Sequence, residues 1–382
     1  MSIPFEPAPL PPSDEDLGTL REAVEAACLR PEADCVAALI DEARCPAELA
    51  ARLSARAESL AAGVRRSRMR AGGVDALMNE FSLDSSEGVA LMCLAEALLR
   101  VPDDAGRMRL IRDKLRDRDW SGHVGQSPSL FVNAAAWSLA LTGRLLAPED
   151  AARVPGALAR IAARGGERLI GEAMECAMRR VGQQFVLGET IEEALERVAG
   201  EPAADYRYSF DMLGEAALCA DDAERYAAAY AHAIRAIGIG DAWRGVHKGN
   251  SISIKLSALH PRYHWSQRGR VMHELLPRLR HLCVLAKGQD ISLTIDAEEA
   301  DRLELSLDVL GALVADPELT DWAGLGFAVQ AYQKRAPFVI DWLIAMARRH
   351  RRRLMVRLVK GAYWDTEIKR AQLDGLVASP VY

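Results

Sequence analysis

The chain has no long apolar run. Its longest, Gly88–Leu99, is interrupted by Glu96 and falls short of the ~20 residues that a membrane-spanning helix needs. The opening residues, MSIPFEPAPLPPS, carry neither a basic n-region nor an apolar h-region, so no secretory signal is read there. Seven cysteines (Cys28, Cys35, Cys45, Cys93, Cys176, Cys219, Cys283) are scattered without a CxxC. That argues against a zinc site or a disulfide framework and fits reduced cytosolic thiols. Aromatic residues are sparse, at 6%, and 48 basic against 54 acidic side chains leave a net charge of −6. Such a balance excludes a basic protein that coats nucleic acid. Neither GxSxG nor a Walker motif occurs, and Gly238 and Gly240 lack the third glycine and the preceding strand of a dinucleotide fingerprint.

What is present suits a globular protein. Half of the 382 residues are apolar and 27% are charged, and at ~100–200 residues per domain the length suggests two or three units. Five prolines among the first twelve residues mark an extended lead, Met1–Ser13. From Asp14 to Leu146 the composition is helical, rich in Ala, Leu, Arg and Glu. Gly88–Leu99 and Ser129–Leu146 read as packed helices of a bundle or arm. A proline- and glycine-punctuated connection covers Ala147–Gly166, and helices are predicted over Glu167–Arg180 and Thr190–Ala199.

The texture then changes. Five β-like runs, Tyr206–Ala217, Ser251–Ala258, Ile291–Ala297, Leu325–Ala331 and Leu354–Gly361, alternate with helical segments over Asp222–Ile237, Gly269–Lys287, Ala300–Val314 and Pro337–Arg349. Strand–helix alternation predicts a parallel α/β sheet. Within the runs one face is apolar: Ile252, Ile254 and Leu256, then Ile291, Leu293 and Ile295, then Leu325, Phe327 and Val329. The opposite face is small or polar: Ser209 and Asp211, Ser251, Ser253, Lys255 and Ser257, Ser292, Thr294 and Asp296, Gly326, Ala328 and Gln330. In a closed barrel that second face lines the lumen. Glu215, Lys255, Asp296 and Arg357 would then gather at the strand ends where such barrels carry their sites. An ion-pair network without a ligand, and an open doubly wound sheet, remain the alternatives at this level.

The run RLVKGAYWD (Arg357–Asp365) adds two cations, a glycine and two aromatics at a strand end, chemistry suited to a phosphate or carboxylate and a flat ring. A capped strand end with core aromatics accounts for it equally well. His260 and His264 are separated by Pro261 without an evident acidic partner, so no metal site is assigned there. The basic runs Arg65–Arg70 and Arg348–Arg353 read as solvated helix surface rather than nucleic-acid patches.

Together, YSFDMLGEAAL (Tyr208–Leu218), SIKLSALHPRY (Ser253–Tyr263), TIDAEEADRLE (Thr294–Glu304), VQAYQKR (Val329–Arg335) and VRLVKGAYWDTEIKRAQ (Val356–Gln372) closely resemble the proline dehydrogenase domain of bacterial proline utilization A. The helical stretch Asn79–Leu146 resembles the arm and α-domain that precede it. The resemblance implies an α/β chain in which a helical arm and α-domain lead into a (βα)8 TIM-type barrel. The expected layout is a lead over 1–13, the arm over 14–78, the α-domain over 79–146, a linker over 147–166 and the barrel over 167–382. It implies FAD as cofactor, L-proline as substrate, Δ1-pyrroline-5-carboxylate as product and membrane quinone as electron acceptor. The location implied is cytoplasmic, with peripheral association with the inner membrane, and the family is compatible with a homo-oligomer.

By the same analogy Lys255 binds the substrate carboxylate, Asp296 organises the charged site, Tyr363 lines the pocket and Glu215 belongs to a gate. Gln330, Arg357, Lys360, Gly361, Ala362 and Trp364 match flavin-contacting positions. The resemblance has three departures. No ribbon-helix-helix pattern is found, so no nucleic-acid partner is expected; no aldehyde dehydrogenase domain follows; and the barrel is expected through about its fifth strand only. Activity is therefore expected of a complete parent, and is doubtful for these residues alone. The rival readings are a truncated fragment acting as a helical interaction module, or another barrel enzyme that binds an anionic ligand.

Overall fold

A computed structural model describes residues 16–70, 106, 109, 186–200, 206–214, 216–240 and 244–382. The helices expected over Gly88–Leu99, Ser129–Leu146 and Glu167–Arg180, the linker and Glu215 lie outside the described residues. The chain divides into two compact units, one of Met1–Arg44 with Leu195–Tyr382 and the other of Cys45–Ala194.

Helix α1 (Leu17–Ala26) starts at Asp16, whose carboxylate accepts the Thr19 N–H at 3.0 Å, and α2 spans Glu32–Ala43. In the second unit α3 (Ala47–Arg70) is one long helix carrying exposed Leu53, Leu60 and Val64. Helix α4 (Ile191–Gly200) is opened by a reciprocal cap. The Thr190 hydroxyl accepts the Glu193 N–H at 3.2 Å, and the Glu193 carboxylate accepts the Glu189 N–H at 2.9 Å.

The rest of the first unit is a repeated strand–helix series: β1 (Ser209–Asp211), α5 (Ala220–Gly240), β2 (Ser251–Ile254), α6 (Arg268–Gly288), β3 (Ser292–Ile295), α7 (Leu303–Val314), β4 (Leu325–Gln330), α8 (Ala336–Arg349), β5 (Met355–Val359) and α9 (Trp364–Leu373). The strands form one parallel sheet in the order β1-β2-β3-β4-β5. Strand order that follows chain order without reversal is the winding of a barrel wall; a doubly wound sheet reverses direction partway.

Each expected strand is present but shorter than its sequence pattern. β1 has three residues, because Gly214 turns the chain at φ +74°. β2 ends at Ile254, and Lys255 caps a single helical turn, Leu256–Leu259, so the alternation read through Ala258 stops there. Alternating polarity persists past a strand end when the next turn also has an inner and an outer side.

The apolar strand faces meet the helices. Ile252, Ile254, Leu293, Ile295, Leu325 and Phe327 are fully buried, with Tyr230, Ile234 and Ile237 of α5, Leu275 and Leu279 of α6 and Val339 of α8. Val356 and Leu358 of β5 are the exception, both exposed at the edge of the described sheet.

Two contacts tie the first helices to the series. Arg21 of α1 lies 5.3 Å over the Trp342 ring and pairs with Glu304 at 2.6 Å and Asp308 at 3.2 Å. Lys334 Nζ donates to the Arg30 carbonyl at 2.9 Å. One member of the basic run Arg348–Arg353 departs from its expected solvated role. Arg352 is buried and donates to the carbonyls of Leu313 (3.2 Å), Val314 (3.0 Å) and Trp322 (3.3 Å), satisfying the C-terminal end of α7.

Candidate active site

The parallel register brings the charged residues to one level. Ile254 pairs with Ile295, Ile295 with Phe327 and Ala328 with Arg357, so Lys255, Asp296, Ala328 and Arg357 stand side by side on the inner face. Ala328 is small, and past it the Arg357 guanidinium reaches from β5 to pair with Asp296. Arg357 Nη1 also donates to Ser253 Oγ at 3.2 Å, and Ser253 Oγ lies 3.3 Å from Ser209 Oγ. Lys255 Nζ sits between two carboxylates, 2.9 and 3.2 Å from the oxygens of Asp211 and 3.3 Å from Asp296 Oδ2. The Lys255 backbone N–H donates to the buried Tyr230 hydroxyl at 3.2 Å, which anchors the strand end.

Burial separates the two acids. The Asp296 side chain is 10% exposed and meets both cations, whereas Asp211 is 42% exposed and meets Lys255. A lone charge at the Asp296 position would cost several kcal/mol, so the two cations are what allow a carboxylate there. Burial pushes the Asp296 carboxyl upward from its ordinary range, opposed by Arg357 and then Lys255.

A second group forms the turn after β5. Gly361 has φ +128°, and a Cβ there would lie 2.4–2.6 Å from the Tyr332 ring. Tyr332 serves the turn at three points. Its N–H donates to the Lys360 carbonyl at 3.0 Å, its hydroxyl accepts the Tyr363 N–H at 3.2 Å, and its ring fills the space beneath Gly361. Buried Gln330 completes the clasp, accepting the Ala362 N–H at 3.2 Å and donating to the Glu298 carbonyl at 2.8 Å. Glu298 in turn accepts the Ser257 N–H at 3.0 Å and pairs with Arg302 at 2.6 Å. A chain of bonds thus joins the turn beyond Lys255 to the turn beyond β5. Burial first, then Glu298 and Glu299, pushes the Tyr363 phenol up to about 12. It is therefore a neutral O–H at any working pH.

Gln330→Leu keeps the volume and orphans two backbone groups at once. An unpaired buried partner costs roughly 1–3 kcal/mol, and water reaches the Ala362 side. The expected result is a loss of about 2 kcal/mol in chemical denaturation. An unchanged midpoint would show that the clasp holds nothing.

Of the residues singled out in the sequence, Lys255, Asp296 and Arg357 meet directly, and Gln330, Gly361, Ala362 and Tyr363 form the adjoining turn. Lys360 is exposed, and Trp364, half-exposed, opens α9. Asp211, Ser253, Tyr332 and Glu298 were not singled out as site residues. Asp211 and Ser253 were visible on the polar strand face, and Tyr332 and Glu298 lie inside quoted motifs, but nothing in spacing alone reveals a clasp. His260 has a partner after all, Glu274 at 3.1 Å on α6, so it is a satisfied buried histidine. Among the described residues no three His, Cys, Asp or Glu side chains group as metal ligands.

The chain matches three family models. They are described as proline dehydrogenase over residues 194–382, as the DNA-binding domain of proline dehydrogenase over 73–185 and as the proline utilization A proline dehydrogenase N-terminal domain over 19–65. It is 55% identical over 365 residues to a bifunctional protein PutA of Klebsiella aerogenes, covering 95% of this chain and 28% of that protein. To the bifunctional protein PutA of Rhizobium meliloti it is 50% identical over 384 residues, spanning 31% of that protein. Among solved structures, a variant of proline utilization A from Bradyrhizobium japonicum aligns with a TM-score of 0.65 at 46% identity. That alignment covers 98% of this chain and 36% of the other.

Proposed function

This chain belongs to the proline dehydrogenase family, in the form found in the N-terminal part of proline utilization A proteins, and from that premise we propose that it takes part in the FAD-dependent oxidation of L-proline to Δ1-pyrroline-5-carboxylate. The observation that carries the reading is the Lys255–Asp296–Arg357 cluster at the inner strand ends, beside the turn Lys360–Trp364. The proposed layout follows the family: a lead over 1–13, an arm over 14–78, an α-domain over 79–146, a linker over 147–166 and barrel residues over 167–382.

The donor set fits a flavin. Isoalloxazine carbonyls and a pyrophosphate are acceptors and anions, and the residues offered to them are Arg357, Lys360 and the amide of Gln330, with Trp364 as an exposed flat surface. Arg357 spends two of its five N–H donors on Asp296 and Ser253 among the described contacts. Bound FAD would supply the two-electron acceptor for the hydride that leaves the proline ring carbon next to nitrogen. The chain's own residues position the substrate. Lys255 Nζ neutralises the carboxylate of the zwitterion, and Asp296, locked by Arg357, fixes where that ammonium sits. Tyr363, neutral and half-buried, gives the ring a flat, water-excluding wall. Glu215 is proposed as part of a gate over the substrate.

Electrons are proposed to pass to membrane quinone from a cytoplasmic protein that associates peripherally with the inner membrane; a homo-oligomer is compatible with this. No helix among the described residues is long and apolar enough to cross a membrane. Nucleic acid is not among the proposed partners. The description matched over 73–185 names a domain family, and no ribbon-helix-helix pattern is read in this sequence.

The test uses the protein at its native length. Purified protein is expected to be yellow, to lose its flavin absorbance when L-proline is added without oxygen, and to regain it on adding a quinone. Flavin whose colour ignores proline would sink the reading.

A further inference from the structure

The ammonium of Lys255 has a poor vacancy for a ligand. Among the described residues the cluster holds two cations, Lys255 and Arg357, and two carboxylates, Asp211 and Asp296. A ligand carboxylate arriving at Lys255 adds a negative charge beside the two carboxylates, Asp211 and Asp296, that already meet it. Like charges in so confined a space repel, so one resident acid must yield.

The two acids are not equally fixed. Asp296 is nearly buried, and its two oxygens are divided between Arg357 and Lys255. Asp211 is far more exposed, and its described contact is with Lys255 alone, through both oxygens at 2.9 and 3.2 Å. Its backbone offers little resistance to movement. Asp211 is the last residue of a three-residue strand at the edge of the described sheet, and the chain turns through Gly214 three residues later. Releasing it into water costs one partly screened ion pair, whereas releasing Asp296 would break two pairs at once, with Arg357 and with Lys255.

We propose that Asp211 is the displaceable counter-ion of Lys255, holding the ammonium until a ligand carboxylate takes its place. The proposal rests on the reading of Lys255 as the carboxylate-binding residue. Exchange of one carboxylate for another leaves the charge of the cluster unchanged. Asp211 therefore acts as a specificity-determining residue: a five-membered ring without an anion cannot take its place, and every anionic ligand binds against its competition.

The experiment is calorimetric titration of the native-length protein with cyclopentanecarboxylate, which keeps the carbon frame and the anion of proline and has no amine. An exposed ion pair carries a fraction of a kcal/mol to about 1 kcal/mol. Asp211→Asn is therefore expected to bind this probe about two- to five-fold more tightly than the wild type. In turnover the same variant should lower the KM for L-proline by a similar factor with kcat held, a split that a merely structural change would not produce. Asp211→Ser, which shortens the side chain, is the second variant and should behave alike. If the wild type binds the probe while both variants bind it equally or more weakly, the counter-ion proposal falls and the carboxylate reading of Lys255 stands. Weaker binding of proline alone in both variants would instead make Asp211 a partner of the substrate amine. If Lys255→Met binds the probe as tightly as the wild type, the reading of Lys255 itself fails.

Discussion

Lys255→Met is expected to raise the KM for L-proline about 10- to 40-fold while the protein keeps its flavin. The lysine follows β2, capping the turn after it, and puts its ammonium where Asp211 and Asp296 converge. A charge-assisted hydrogen bond is worth roughly 1.5–3 kcal/mol, and each 1.4 kcal/mol is a factor of ten. Because the side chain is about a quarter exposed, the lower half of that range applies. Methionine removes the cation and leaves both acids facing the incoming carboxylate, so attraction turns into repulsion. The fold survives because Asp296 keeps Arg357 and the backbone of residue 255 keeps its bond to Tyr230. Steady-state kinetics give the KM, and the ratio of flavin to protein absorbance gives the cofactor content. Flavin lost with KM intact would move Lys255 to the cofactor side of the site.

How much of the site is legible in the sequence depends on the kind of contact. The inner face was legible because strands alternate with period two: Ser253, Lys255, Thr294, Asp296 and Ala328 declare their side by position alone. Parallel register then does what sequence cannot, placing Lys255, Asp296 and Arg357 on one level although up to 102 residues separate them. Winding direction was also out of reach. The strand–helix series was compatible with a barrel or a doubly wound sheet until the order β1-β2-β3-β4-β5 decided it.

Side chains that bond to backbone were the least visible. Gln330, Tyr332 and Glu298 act through peptide groups whose positions depend on where other strands end, and any sequence supplies peptide groups. Arg352 illustrates the same blindness from the other side. In a run of five arginines and one histidine, only the three carbonyls at its guanidinium distinguish it from its solvated neighbours.

Gly361→Ala tests whether the turn after β5 is the rigid part of the site. At φ +128° an L-residue is strained by roughly 1–3 kcal/mol before any contact is counted. The new Cβ would also fall 2.4–2.6 Å from the Tyr332 ring, a distance no real Cβ tolerates. The ring cannot simply step aside. Its hydroxyl holds the Tyr363 N–H, so moving the ring breaks the clasp at that end. The expected outcome is a loss of about 3 kcal/mol, a fall in Tm of roughly 6–12 °C for a unit of this size, and loss of most of the flavin on purification. Strain and collision separate in a double-mutant cycle with Tyr332→Ala. Removing the ring relieves the collision and leaves the backbone strain, so the double variant should be more stable than the sum of the two single losses by about 1–2 kcal/mol. Simple additivity would mean that the glycine is needed for its backbone angle alone, and wild-type Tm and flavin content in Gly361→Ala would mean that the turn flattens freely and sets no geometry for the site.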